Sequence, residues 1–258
     1  MVSIPAEPGP EVFDRVFSMA ASSPGIARLW ERAHPDLPPE VEPHSFVSSD
    51  LLRFVARALS LSRGQDLTDL GCGRGGPGLW LARELDVGLT GVDFSPVAVE
   101  AAARRAARFG RASLARFSVG ELTATGLPPA SADAVVCVDA FQFAAGPGLA
   151  ATEVLRILRP GGRFVLTGWQ PATPGDTRPP PRLRTDWAPV LREAGLADVR
   201  VAARATWHEA YTRVFRTALE LGDHGDDTAL AELQDEARDQ LPTADLVRRV
   251  VVTATAPR

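Results

Sequence analysis

The sequence predicts an α/β protein, with a mostly parallel sheet covered by helices on both faces. Three observations predict it. Between residues 66 and 169, short apolar segments with strand character alternate with helical segments. The segment 133–140, DAVVCVDA, is nearly all apolar, as a strand buried on both faces must be. The segment 68–78, TDLGCGRGGPG, sets a glycine cluster between a strand and the start of a helix.

The elements follow in chain order. A helix spans about 12–33, with Val12, Phe13, Val16 and Phe17 on one face. The Pro-rich stretch 34–45 is a loop. A second helix covers about 49–61, with Leu51, Leu52, Val55 and Leu59 as its stripe. Strand 66–70 precedes a helix begun by Pro77, strand 87–93 precedes one capped by Ser95 and begun by Pro96, and a third strand covers 113–119. After strand 133–140 come a helix at about 148–158 and a strand at 163–169, turned by Pro160, Gly161 and Gly162. A Pro-rich loop, a helix (about 185–194), a strand (about 197–205), a helical stretch (about 207–239) and a strand (about 247–255) complete the order. GDHGDD, 222–227, reads as a solvated turn. The division expected is a helical cap over 1–62 and a sheet domain over 63–258, with an inserted lid at about 207–240.

Composition narrows the function. A chain of 258 residues can bury a sizeable core. Its net charge of -4 offers no basic field for a nucleic-acid backbone. No apolar run is long enough to span a bilayer, and the N-terminus lacks a leader pattern. Cys72 and Cys137 fit no metal spacing and point to a reducing, cytoplasmic setting without a bound metal. All 28 basic residues are arginine, and the sequence contains no lysine and no asparagine. A Gly-Lys-Ser/Thr phosphate loop and a lysine Schiff base are therefore excluded.

Gly71, Gly73 and Gly76 fit a nucleotide-binding pattern that serves NAD, FAD or S-adenosylmethionine alike. Asp69 separates them. Placed at the end of a strand, it faces the crevice where such sheets bind ligands. A carboxylate there repels a pyrophosphate and attracts an ammonium or sulfonium. A turn-capping Asp is the plainer reading of that residue alone. Asp93, at the end of the second strand, can accept from ribose hydroxyls in either ligand class. Glu121 can accept from an adenine amino group, with Leu122 offering its backbone N–H; a surface acid is the plainer reading.

TDLGCGRGGPG, GVDFSP, VGELTATGLP, ADAVVCVDAFQF and LRILRPGGRFVLTGW stand in the order and spacing of the class I S-adenosylmethionine-dependent methyltransferases. The chain resembles that family over roughly 47–170, and most of all its bacterial members acting on small molecules, natural-product tailoring enzymes among them. The resemblance implies a Rossmann-like seven-stranded sheet, mostly parallel with an antiparallel last strand. It implies that Asp69, Gly71, Cys72 and Gly73 line the methionine part of the cofactor. Asp93 would hold the ribose, Phe94 would pack on the adenine, and Glu121 and Leu122 would read its edge. Asp139 would lie near the methionine end, with Gln142 orienting cofactor or substrate. Many relatives carry Thr where this chain has Arg74.

The acceptor side is less marked. An oxygen acceptor would gain from a general base. Of the four histidines, His208 and His44 rank first, although a structural histidine is the commoner case for each. Tyr211, three residues beyond His208, shares its helix face. Phe141, Phe143, Trp30, Trp169, Trp187 and Trp207 are candidates for an apolar acceptor wall, and core packing accounts for each equally well. The expected partner is a small molecule, with neither nucleic acid nor membrane, for a monomer or homodimer. Two other readings stand. An NAD(P)-dependent oxidoreductase shares Gly71, Gly73, Gly76 and Asp93 but leaves Asp69 and Glu121 unexplained. An enzyme of the same fold and cofactor can instead cyclise or rearrange its substrate.

Overall fold

A computed structural model describes residues 9–42 and 45–258. Three helices precede the sheet: α1 (Pro10–Ala21), α2 (Pro24–Ala33) and α3 (Ser49–Leu59). The alternation begins with β1 (Asp66–Leu70), α4 (Gly76–Leu85), β2 (Gly88–Asp93), α5 (Pro96–Arg105) and β3 (Ala115–Val119). It continues through β4 (Ala132–Val138), α6 (Pro147–Ile157), β5 (Leu158–Pro171), α7 (Trp187–Glu193) and β6 (Ala197–Ala203). Helices α8 (Ala205–Glu220) and α9 (Thr228–Gln240) come before β7 (Val247–Thr255).

The seven strands lie in the order β3-β2-β1-β4-β5-β7-β6. Neighbours from β3 to β5 run parallel, and β7 runs antiparallel to both β5 and β6. The expected mixed sheet, with its last strand reversed, is therefore the observed one. The direction of winding changes between β1 and β4, and sheets of this kind open a crevice at the carboxyl ends of such strands. Both faces are covered. Leu51, Leu52, Val55 and Leu59 of α3 pack with Leu79 and Leu81 of α4 on one side. Val154 and Ile157 of α6 pack with Trp187 and Leu191 of α7 on the other.

Where structure and expectation differ, polar caps decide the boundaries. The helix expected over 12–33 is two helices. Ser23 Oγ accepts from Ile26 N at 2.9 Å, and Pro24 opens α2. The stretch 207–239 also divides, because 222–227 breaks it. Asp227 caps α9 by accepting from Leu230 N at 3.1 Å. The same carboxylate accepts from Ser23 Oγ at 2.7 Å and Gly25 N at 2.8 Å, so the acidic turn joins α2 to α9 instead of being wholly solvated. The fourth strand ends at Val138, because Asp139 takes a left-handed φ of 57°.

The N-terminal helices are fastened to the rest of the chain. Trp207 Nε1 of α8 donates to Asp50 Oδ2 of α3 at 2.7 Å, and Arg204 lies over the Phe54 and Trp207 rings. The nearly buried Arg105 donates to the Glu40 and Val41 carbonyls at 2.8 and 3.1 Å. Among the described residues no helix is long and apolar enough to cross a membrane, and no cluster of ligating side chains is arranged to hold a metal ion.

Candidate functional site

The carboxyl ends of β1, β2 and β4 converge on a cavity of about 500 Å³, well within the range of small-molecule sites. Its floor is the turn after β1. Gly71 N and Cys72 N both donate to Val92 O, at 2.8 and 3.1 Å, which curls the chain against β2. Gly71 has φ of +66°, and a Cβ there would sit 2.3 Å from Ala140 Cβ, so no larger residue fits this turn. Gly78 in the first turn of α4 meets the same limit from Asp69, whose Oδ2 would lie 2.2 Å from an added Cβ.

Asp69 is 2% exposed, and its Oδ1 has no hydrogen-bond partner among the described residues. Burial, reinforced by the nearby Asp93 charge, pushes its pKa up to about 8. Asp93 sits differently. Its Oδ2 accepts from Gly73 N at 2.8 Å and its Oδ1 from Ser95 N at 2.9 Å, so it pins the glycine loop while each oxygen keeps a second lone pair. Burial raises its pKa, and these two backbone bonds oppose the rise. Two acids thus stand side by side at the bottom of a cavity that also admits Cys72, Phe94, Glu121, Leu122, Asp139 and Gln142.

Asp139 has its carboxylate taken up by protein partners. Its oxygens accept from Phe46 N at 3.0 Å, from Thr167 Oγ1, and from Arg249 Nη2 at 2.6 Å. Its carbonyl accepts from Gln142 Nε2 at 2.7 Å, and Gln142 Oε1 is buried without a partner among the described residues. Arg249 is itself fully buried, with its guanidinium 4.1 Å from the centre of the Trp169 ring.

The remaining walls come from the helices. Phe13 and Phe17 of α1 cover the glycine loop, and the Phe13 ring centre lies 5.3 Å from those of both Phe94 and Phe143. Further out the cavity is lined by Trp30, Phe46, Trp169, Tyr211 and Phe215, with Arg182 and Glu236 among them.

The structure redistributes the acceptor-side candidates. Trp169, Trp30, Tyr211 and Phe143 line the cavity. Phe141 does not: it is fully buried between Phe164 and Trp187, a core residue of the α6–α7 side. Trp187 and Trp207 are likewise core, their indole N–H groups donating to Trp169 O and Asp50 Oδ2. His208 stands behind Tyr211, outside the cavity lining, with Nε2 3.9 Å from Asp245. Burial lowers its pKa. His44 lies outside the described residues. The sequence reading placed Phe13 and Phe17 only on a helix face and passed over Phe46, Arg182, Glu236 and Arg249. Arg249 left a signal, as a charge within the apolar strand LVRRVVVTAT; the others lie on helices and loops whose approach to the cavity is set by tertiary packing.

Residues 68–166 match a family model described as a methyltransferase domain. That stretch contains both acids, the glycine turn and β4, in the arrangement just described. Over that stretch the chain is similar to S-adenosylmethionine-dependent methyltransferases. The 27-O-demethylrifamycin SV methyltransferase of Amycolatopsis mediterranei is 29% identical over 178 residues, covering 62% of this chain and 65% of that protein. A sterol 24-C-methyltransferase of Aspergillus fumigatus is 29% identical over 116 residues. That match covers 45% of this chain, and the chain spans 31% of the sterol enzyme's length. In fold, the chain resembles the (4+2)-cyclase SpnF, with a TM-score of 0.75, 23% identity and 98% of each chain covered. The cofactor of the family is S-adenosylmethionine, and the residues present fit it. The partnerless, buried Asp69 oxygen asks for a cation, and the open lone pairs of Asp93 suit a diol.

Proposed function

We propose that the chain binds S-adenosylmethionine against β1 and β2 and transfers its methyl group to a small apolar acceptor held in the outer part of the same cavity. The observation that carries this reading is Asp69: a buried acid with a partnerless oxygen, beside a second acid, suits a ligand with a cationic tail and not a pyrophosphate. Asp69 would face the ammonium, Gly71, Cys72 and Gly73 the methionine chain, and Asp93 the ribose. Phe94 would pack on the adenine, whose edge Glu121 and Leu122 would read. Gln142, with its free Oε1, would orient the methionine end.

The sulfonium supplies an electrophilic methyl with a good leaving group. The chain's contribution is then alignment and exclusion of water. Phe13 and Phe17 close the cavity from the α1 side, while Trp169 and Tyr211 form its opposite wall. The acids lining the cavity disfavour a nucleic-acid backbone and favour a small molecule. Residues 1–62 would act as the cap, 63–258 as the catalytic domain, and about 207–240 as the acceptor lid. The rifamycin relative and the free buried cysteines support a tailoring role in a reducing, cytoplasmic setting. One observation favours a second reading, use of the same site for cyclisation: the full-length likeness in fold to SpnF.

Calorimetric titration with S-adenosylmethionine, S-adenosylhomocysteine, NADH and NADPH tests the reading. The first two should bind and the nicotinamide cofactors should not; binding of NADH or NADPH alone would overturn it. Asp93→Ala should weaken S-adenosylhomocysteine binding at least ~100-fold, about 2.7 kcal/mol, since it removes the diol acceptor and the anchor of Gly73 together. Near-unchanged affinity in a folded variant would remove Asp93 from the site.

A further inference from the structure

Part of the cavity is walled by aromatic rings, and among the polar side chains that break this wall Tyr211, Glu236 and Arg182 come from three different elements. Tyr211 lies on α8, Glu236 on α9, and Arg182 in the short turn before α7. Glu236 Oε1 and Arg182 Nη2 are 4.0 Å apart. The Tyr211 ring is fixed by Phe46, Trp169 and Phe215, with centres 5.0 to 5.2 Å away. Glu236 keeps 36% of its side chain accessible, yet burial raises its carboxyl pKa. Glu236 lines the cavity, so its side chain stays open to a ligand while the surrounding walls raise its carboxyl pKa. Asp239 adds negative charge on the same helix, and Arg249 lies behind Tyr211.

We propose that Tyr211, Glu236 and Arg182 form the acceptor-recognition site, and that it takes a neutral, apolar molecule through a hydroxyl group. The proposal rests on the cavity being shared by cofactor and acceptor. The carboxylate accepts a hydrogen bond, whereas the guanidinium and the phenol donate. A hydroxyl does both, so it satisfies both kinds of partner in one place. An acceptor carboxylate would meet Glu236 and Asp239, and an acceptor ammonium, though drawn to those acids, would sit beside the Arg182 charge and offer neither the guanidinium nor the phenol an acceptor. In an aromatic, poorly solvated chamber either mismatch is costly.

The test uses 2-naphthol, naphthalene-2-carboxylate and 2-(aminomethyl)naphthalene as probes. Each is titrated calorimetrically into the full chain with and without S-adenosylhomocysteine. Wild type should bind 2-naphthol about tenfold more tightly than either charged probe. Glu236→Gln should weaken 2-naphthol about tenfold, relax the discrimination against the carboxylate, and leave S-adenosylhomocysteine affinity unchanged. Tyr211→Phe should weaken 2-naphthol about three- to tenfold by loss of one donor. The proposal is overturned if the charged probes bind wild type as tightly as 2-naphthol, if 2-naphthol does not bind, or if both variants keep wild-type affinity for it. Failure of S-adenosylhomocysteine to bind wild type would overturn the cofactor reading instead. The probe selectivity measured without it still decides the recognition site.

Discussion

Binding of S-adenosylmethionine at pH 7 is expected to release close to one proton, and Asp69→Asn to abolish that release. Asp69 is buried, and its pKa of about 8 leaves it mainly protonated in the ligand-free protein at neutral pH. The α-amino group of the ligand is already mostly an ammonium below its ordinary pKa of about 8. Placing that cation beside the carboxyl reverses the preference, and the proton leaves. Titrations in two buffers of different ionisation enthalpy measure it, and a buffer-independent enthalpy would remove Asp69 from the ammonium site. Asp69→Asn should also weaken binding by roughly 100-fold or more, because it leaves a desolvated cation without its counter-charge.

The same shift fixes the sign of a stability effect. The folded pKa, about 8, lies above the ordinary 3.8. Between those values the native chain holds a proton that the unfolded chain has lost, so this group lowers stability as pH rises from about 4 to 8. Asp69→Asn removes the penalty. The ligand-free variant should therefore be more stable than wild type at pH 8, by up to about 5 kcal/mol, with the difference vanishing toward pH 4. Thermal melts at the two pH values read it directly. One residue would then be unfavourable to the empty fold and favourable to the complex, as expected where a site is built for a charged ligand.

The glycine turn and its two acids were legible because local chemistry dictates them. A glycine at Gly71 is demanded by φ and by the approach of Ala140, and the acids Asp69 and Asp93 end strands whose apolar pattern is plain. Helix breaks were less legible. Ser22-Ser23-Pro24 carries a cap-and-proline signature, but the apolar stripe continues across it, and periodicity alone joined the two helices. The acceptor end was least legible. Glu236 and Arg182 are separated by 54 positions (236 − 182) and meet because α9 folds back over the turn before α7. His208, chosen for its chemistry and its spacing from Tyr211, lies behind that residue. A helix stripe gives which residues share a face, not which of them reaches the opening. Phe141 shows the converse: a residue next to a strand end can turn inward, and here it fills the space between Phe164 and Trp187.

Arg249→Met is expected to destabilise the protein by about 3–5 kcal/mol, and the double variant Arg249→Met, Asp139→Asn to recover most of that loss. Arg249 is 0% exposed, and Asp139 is 9% exposed. Their contact at 2.6 Å is therefore a buried ion pair, with Thr167 Oγ1 and Phe46 N completing the carboxylate's bonds. Removing the cation alone strands a buried negative charge. Removing both charges leaves an amide whose one oxygen can accept from Phe46 N while its NH2 donates to Thr167 Oγ1, at much smaller cost. At roughly 2–4 °C per kcal/mol for a domain of this size, the single variant should melt roughly 6–20 °C below wild type. Denaturant titrations of the four proteins give the coupling, and a single variant within about 1 kcal/mol of wild type would show that the pair does not hold this region together. The pair ties two stretches of the cavity lining together. Asp139 reaches Gln142 through its carbonyl on the cofactor side, and Arg249 backs Trp169 on the acceptor side. The ion pair thus fixes the left-handed turn after β4 and the aromatic wall relative to each other, and its loss should weaken ligands of both stretches together.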